Sequence, residues 1–428
     1  MIRRPRVLMA WEHGRNLGHA ARLLDVADRL AGYGAALVWA IPEHELAAAW
    51  LGDEAGPRVT SPRIKIDATA NGGAVHSFAD ILASVGFANA DALGNAVVQW
   101  LDLFERLAID RVVLDYAPAA QLAALVAGLP AVQITSGFDA PPPECPVFGI
   151  GLRGPMLDRR NQVCVERLDR TIDAVVRRLG RGQPTALSDL LAYPERWYDC
   201  IAETDPYGPR NDGTYVGPLG RMRTGAATAW PDGPAEARKA FVYLRSESQL
   251  AAALDALKAS SCRVICVWPG ASDAAADRLR RAGVLVETAP IDLDPILAAC
   301  DLVVTYGAVA IAGRALLLGK PQLLLPVEVD KHLVASRIAA LGAGRLLGTR
   351  AGAAQLQEAI ASLLGSASFR SAAQDVAAKY SAGFEGLNAM CRAFLDATID
   401  EGAARGALAL RIEPDGAHGR GSERTRGH

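Results

Sequence analysis

The segment from Asp301 to Ala343, DLVVTYGAVAIAGRALLLGKPQLLLPVEVDKHLVASRIAALGA, restricts the chain to few folds. Leu302 to Thr305 is a short apolar run with β-branched residues, which predicts a buried strand. Tyr306-Gly307 predicts a tight turn. Ala308 to Leu318 is rich in Ala and Leu and closes at Gly319, a helix with a glycine C-cap. Gln322 to Pro326 predicts a second strand, and Asp330 is placed to cap the helix that follows. Strand, helix, strand and helix in this order make a parallel βαβ unit. Ligands of such units collect at the carboxyl ends of the strands, against helix N-termini. The free amides expected at Gly307, Ala308 and Val309, just after Thr305 and Tyr306, would suit a diphosphate.

The N-terminus repeats the pattern. Arg6 to Trp11 predicts a strand, Glu12 to Leu17 a polar loop, and Gly18 the start of a helix with Leu23, Leu24, Ala27 and Leu30 at helical spacing. Gly32 and Gly34 end it, and Ala35 to Ile41 is the next strand. The fold class expected here is α/β with a doubly wound parallel sheet. His19 falls at the carboxyl edge of that sheet. An imidazole titrates in the range needed to take a proton from an alcohol. A helix-capping His, or one bonded to a loop, is the other reading. RVVLDY at Arg111 to Tyr116 predicts a buried strand ending in Asp115. A carboxylate against an imidazole fixes its tautomer and stabilises its cation, and strand ends meet across a doubly wound crevice. Alternatively, Asp115 caps the helix Pro118 to Gly128. Ala131 to Thr135 is a further strand, and Ser136 joins Gly18 as a candidate for the pocket floor.

Strands are also expected at Ile64 to Ile66, Tyr198 to Glu203 and Thr214 to Leu219. Helices are expected at Ala88 to Leu107 and Asn161 to Leu179. His76 has no role beyond a surface or pocket wall. Residues 221–236 lack periodicity and read as a linker. Beyond it come a strand at Phe241 to Leu244, the helix Glu247 to Ala259 and further alternating elements. Residues 403–428 read as a disordered, Gly- and Arg-rich tail.

Composition narrows the function classes. A chain of 428 residues with 50% apolar content can bury two cores. A net charge of −2 and a pI near 6.4 give no electrostatic reason for a nucleic-acid partner. Seven scattered cysteines suit reduced, buried thiols. Cys262 and Cys266 have no second pair to complete a metal site. The apolar run Val7 to Trp11 is too short for a signal peptide, and no stretch is long enough to span a bilayer. A cytoplasmic protein is expected, peripheral to a membrane at most.

At Gly307, Ala315, Leu316, Gly319, Pro321, Pro326 and Asp330 the chain resembles the UDP-glycosyltransferases and related bacterial antibiotic glycosyltransferases. Gly18-His19, the strand-end Asp115 and Val216-Gly217-Pro218 extend the resemblance. It implies a GT-B fold: two Rossmann-like doubly wound domains facing a cleft, residues 1–220 on the acceptor side and 237–385 on the nucleotide-sugar side. A C-terminal helix, 386–402, would cross back onto the first domain. The resemblance further implies an inverting, metal-independent transfer from a nucleotide diphosphate sugar, without a cofactor, to a small-molecule or lipid acceptor. His19 would be the base and Asp115 its partner. The donor motif departs from the family. Tyr306 stands for the diphosphate-binding His, Ala308 and Ala310 for glycines, and Ile311 for Thr. Arg314 stands for the ribose-binding Glu, Lys331 for Gln, and Arg245-Ser246 for a Gly-Ser turn. Arg245, Arg314, Lys331 and His332 are candidates to replace the lost donor contacts. Arg314 and Lys331 facing water is the alternative. A non-catalytic relative that has lost donor binding remains a second reading, and a sugar-nucleotide epimerase a third.

Overall fold

The computed structural model describes residues 4–14, 17–42, 51, 55–66, 75–149, 154–180, 183–220, 228–289, 291–384 and 386–397. Two parallel sheets organise them. The first holds β1 (Arg6–Trp11), β2 (Ala36–Ile41), β3 (Arg58–Thr60), β4 (Arg111–Asp115), β5 (Ala131–Thr135), β6 (Glu195–Tyr198) and β7 (Thr214–Tyr215), in the order 3-2-1-4-5-6-7. The second holds β8 (Lys239–Tyr243), β9 (Arg263–Val267), β10 (Leu285–Glu287), β11 (Leu302–Thr305), β12 (Gln322–Leu324) and β13 (Gly344–Leu346), in the order 10-9-8-11-12-13.

The helices of the first half are α1 (Leu17–Gly32), α2 (Phe78–Leu82), α3 (Ala90–Arg106), α4 (Pro118–Ala127), α5 (Pro155–Arg178) and α6 (Leu187–Ala192). Those of the second are α7 (Glu247–Ala259), α8 (Asp273–Arg281), α9 (Leu293–Ala299), α10 (Val309–Leu317), α11 (Val329–Ala340), α12 (Ala353–Gly365), α13 (Ala367–Lys379) and α14 (Leu387–Asp396).

The central strands are covered on both faces, as a parallel sheet requires. Side chains alternate along β1. Leu8 and Ala10 pack with α3 and α4, while Val7, Met9 and Trp11 pack with α1. The chain winds outward in both directions from β1 and β4, so their carboxyl ends form a switch-point crevice. Trp11 and Asp115 are register partners there. In the second sheet the corresponding crevice lies between β8 and β11, where Tyr243 pairs with Thr305.

The halves are joined beyond the linker. Ile201 packs among Ala312, Leu316, Val334 and Ile338. The Glu203 carboxylate accepts from the Tyr380 hydroxyl at 2.7 Å and from Lys379. Helix α14 returns to the first sheet. Leu387, Cys391 and Phe394, spaced at i, i+4 and i+7, bury beside Met9 and Trp197. Arg111 Nε donates to the Phe394 carbonyl at 2.5 Å, and Arg111 Nη2 to that of Ala397, so the guanidinium closes the end of α14.

Several expectations are corrected. The short strand of the third segment is β3, not Ile64 to Ile66, which has no regular structure. The expected strand Tyr198 to Glu203 is displaced. β6 ends at Tyr198, and Ala202–Thr204 is a single 3-10 turn. Of Thr214 to Leu219 only two residues pair. The expected linker's 221–227, the crossing helix's 398–402 and the tail 403–428 lie outside the described residues. All seven cysteines are free thiols. No single helix among the described residues is long and apolar enough to cross a membrane.

Candidate active site

The loop after β1 and the first turn of α1 carry His19 to the end of β4. Its Nδ1 lies 2.8 Å from Asp115 Oδ1. Asp115 is fully buried, yet its carboxyl is held below the usual carboxylate range. Burial alone would raise it; the Arg22 charge, then His19, outweighs burial. An ionised carboxylate only accepts, so Nδ1 carries the proton and Nε2 is left as the basic nitrogen. The ring is stacked on Trp11, centroids 5.2 Å apart, and faces Tyr116 at 6.4 Å. Tyr116 turns the chain out of β4 with φ of 45°, a strained value for a non-glycine residue, and its carbonyl accepts from the His13 amide at 3.1 Å. A Cβ placed on Gly14, whose φ is +90°, would come within 2.4 Å of His19 Nε2. The basic nitrogen therefore faces bare backbone.

Arg22 lies three residues after His19, on the same face of α1. Its Nε donates to Asp115 Oδ2 at 2.6 Å, Nη2 donates to Asp115 Oδ1, and Nη1 reaches Asp199 Oδ2 at 3.4 Å. Burial pushes the Asp199 carboxyl up to about 6, against the pull of Arg22. Sequence reasoning assigned no role to either residue. The His19–Arg22 spacing was visible as a shared helix face. Asp199 was hidden because the strand was read as continuing through it.

The alternative role of Asp115 belongs to another residue. The carboxyl group of Glu12, fully buried after β1, accepts from the amides of Ala119 and Ala120 at 3.1 and 2.7 Å and so caps α4. Burial pushes its carboxyl up to about 8. Beside it, burial lowers His13 to about 4 and leaves it neutral.

On the second sheet, Thr305 ends β11 and Ala308 is the N-cap of α10, with no side-chain capping bond. The helix thus opens on amides from Val309 onward that no side chain caps. The Gly307 amide was expected to be free, but it donates to Thr305 Oγ1 at 3.3 Å. Gly307 has φ of +86°, and a Cβ there would come within 2.8 Å of the Lys331 carbonyl oxygen. Tyr306 is buried against Tyr243, and the Arg245 guanidinium lies 5.3 Å over its ring. Arg245 also comes within 3.8 Å of Glu328. Lys331 pairs with Asp330 and lies 3.9 Å from Glu328.

Other donor-side expectations change. Asp330 does not cap α11: the N-cap is Glu328, without a side-chain bond, and Asp330 sits in the first turn. Arg314 does not point into water, since its side chain is 14% exposed and Nη1 reaches Asp294 at 3.3 Å. Lys331, 12% exposed, is likewise covered. Ser246 caps α7, accepting from the Gln249 amide at 3.5 Å. Burial lowers His332. Gly18 is exposed at the start of α1, and Ser136 is half-buried after β5.

The two edges face each other. Val329 and Leu333 of α11 pack against the core of the first half. Burial, then the charges of Asp139 and Asp330, pushes the Tyr116 phenol up, so Asp330 acts across the cleft. Among the described residues no group of three or more His, Cys, Asp or Glu side chains is arranged to hold a metal ion.

Two doubly wound α/β halves with apposed carboxyl edges and a C-terminal helix crossing back make this a GT-B fold. Residues 254–384 match the family described as Erythromycin biosynthesis protein CIII-like, C-terminal domain. Comparison with curated proteins by sequence gives no match. Among solved structures, the spinosyn rhamnosyltransferase SpnG is similar, with 20% identity, a TM-score of 0.64 and coverage of 92% of this chain and 100% of its own. SpnG complexed with thymidine diphosphate is similar at 20% identity and a TM-score of 0.61, over 91% of this chain and 99% of its own. The glycosyltransferase SnogD from Streptomyces nogalater shows 19% identity and a TM-score of 0.61, over 91% of this chain and 98% of its own.

Proposed function

We propose that the protein is an inverting, metal-independent glycosyltransferase. It moves a sugar from a nucleoside diphosphate sugar to a hydroxyl of a small-molecule or lipid acceptor. The observation that carries the reading is the His19–Asp115 pair, its carboxylate fully buried, at the switch point of the first sheet, together with the uncapped start of α10 at the switch point of the second. The match of residues 254–384 to a family of antibiotic biosynthesis, and likeness to a structure that binds thymidine diphosphate, support it.

In this reading His19 Nε2 takes the acceptor hydroxyl proton, and the acceptor oxygen bonds to the anomeric carbon. The bond from that carbon to the diphosphate oxygen breaks, and the nucleoside diphosphate leaves with the electron pair. Attack opposite the leaving group inverts the configuration. Asp115 stabilises the imidazolium, and the amides opening α10 take the charge growing on the diphosphate. Arg245 and Lys331 are cations at the same strand ends.

A non-catalytic relative is the second reading. It is favoured by the pairing of Lys331 with Asp330 and of Arg314 with Asp294, which leaves these cations engaged without a donor. The test is sugar transfer from a panel of nucleoside diphosphate sugars to a hydroxyl library, read by mass spectrometry. The proposal expects a glycosylated product that falls roughly 100-fold or more in His19→Ala, the usual scale of general-base loss. Product formed equally by both proteins rejects His19 as the base, and no product from any pair favours the second reading.

A further inference from the structure

His19, Asp115, Arg22 and Asp199 form one chain of contacts, buried beyond the partly exposed His19, that runs from the cleft to the end of β6. The Arg22 fork spans both oxygens of Asp115, a bidentate geometry that fixes the plane of the carboxylate. The same Nη2 lies 2.9 Å from His19 Nδ1, so both nitrogens donate to Asp115 Oδ1 from adjacent directions. The remaining arm of the fork reaches Asp199, which is tied in place by its own amide donating to the Thr135 carbonyl at 2.8 Å. Side-chain exposures of 10%, 0% and 8% for Arg22, Asp115 and Asp199 leave little water to screen them.

We propose that Arg22, anchored by Asp199, is a positioning residue: it holds Asp115 behind His19, and Asp199 supplies a counter-charge for the imidazolium when His19 takes a proton. This rests on the reading of His19 as the base. Count the charges with Asp199 ionised. Arg22 cancels one carboxylate, and the other is left to balance the imidazolium. Remove Asp199, and Arg22 cancels Asp115 instead. Protonated His19 would then have only the more distant Asp139 to balance it in a mostly buried site. Among the described residues the second oxygen of Asp199 has no hydrogen-bond partner, so its charge is committed to Arg22 alone.

The charged groups acting on Asp199 are Arg22 from α1, Asp115 from the end of β4 and Asp139 after β5. Asp139 is held separately by Thr135 at 2.5 Å and Gln133 at 3.2 Å. With its carboxyl at about 6, Asp199 is ionised at neutral pH and loses its charge below that value.

The experiment is an NMR titration of the His19 ring in 15N-histidine-labelled full-length protein, assigned by the loss of its signals in His19→Gln. It needs no substrate. Arg22→Gln removes a cation beside the ring and should raise the His19 midpoint by about one pH unit, the scale of a close charge. Asp199→Asn should lower it by about half a unit, the smaller effect of a more distant charge. Arg22→Lys keeps the charge without the fork and should move the midpoint less than Arg22→Gln. Opposite shifts support the proposal; unchanged midpoints, or shifts of one sign, overturn it. If Arg22→Gln does not fold, Arg22→Lys and Asp199→Asn decide: an unmoved midpoint in Asp199→Asn overturns the proposal. In turnover, Arg22→Lys and Asp199→Asn should each lose about tenfold in kcat with KM within about twofold, as expected for groups that act through the base. Opposite titration shifts in a protein that transfers no sugar would keep the charge network and reject the glycosyltransferase reading.

Discussion

Glu12→Gln tests how the first sheet holds its buried charges. Glu12 caps α4 with both oxygens and is fully buried. Burial raises its carboxyl from 4.5 to about 8, although the Ala119 and Ala120 amides pull the other way. The folded state therefore binds this proton more tightly than the unfolded chain. Its contribution to stability is fully present below pH 4.5 and is lost as pH rises through 8. A rise of about 3.5 units at about 1.36 kcal/mol per unit is worth about 5 kcal/mol across that window. A glutamine is neutral throughout, but only its oxygen can accept, so one capping amide loses its partner at about 1–2 kcal/mol. The assay is urea unfolding of both proteins from pH 5 to pH 8.5. The variant should be the weaker protein at pH 5 and the stronger one at pH 8.5, so the two stability curves cross. Other titrating groups enter both curves alike. Parallel curves, with a constant difference at every pH, would refute the reasoning and show that Glu12 titrates normally in the fold.

Two further perturbations probe the site and its scaffold. Gly14→Ala puts a methyl group against His19 Nε2 and imposes a positive φ on alanine. It should cost about 1–2 kcal/mol in stability for the backbone alone and at least roughly tenfold in turnover from base displacement; turnover unchanged in a folded variant would show that Nε2 is not the working nitrogen. Phe394→Ala removes a ring that is 5% exposed and meets Trp197 edge-on at 6.1 Å. It should destabilise by about 3–5 kcal/mol in urea unfolding and speed hydrogen exchange in α14, whereas a loss under about 1 kcal/mol would mean α14 is not docked through this face.

Much of the architecture was legible because periodicity and glycine punctuation agree. Arg6–Trp11, Ala131–Thr135, Glu247–Ala259 and Leu302–Thr305 fall where the apolar runs place them. The edges were less legible. Tyr198 to Glu203 looks like a strand by composition, but only the residues through Tyr198 find a neighbour to pair with. That misreading hid Asp199, which lies just past the end of β6. The juxtaposition of His19 and Asp115 was readable from switch-point logic, since Asp115 ends β4 and His19 follows β1, its neighbour in the sheet. Arg22 was not, because an arginine on an amphipathic helix is normally a solvent-facing residue, and only the tertiary fold turns it onto Asp115. Likewise the partner of Arg314 comes from α9, 20 residues upstream, a pairing with no local signal. The helix cap after β4 went to Glu12, 107 residues away from Ala119, where sequence offered the nearer Asp115.

The most direct test of the account is calorimetric titration of the intact protein with thymidine, uridine, guanosine and adenosine diphosphates. Saturable, one-to-one binding of at least one of them is expected, with stabilisation of about 2.7 kcal/mol at a concentration 100 times its dissociation constant. Folded protein that binds none of the four would contradict it. The cleft would then hold no donor, and the buried His19–Asp115–Arg22–Asp199 chain would be a structural network of the first sheet.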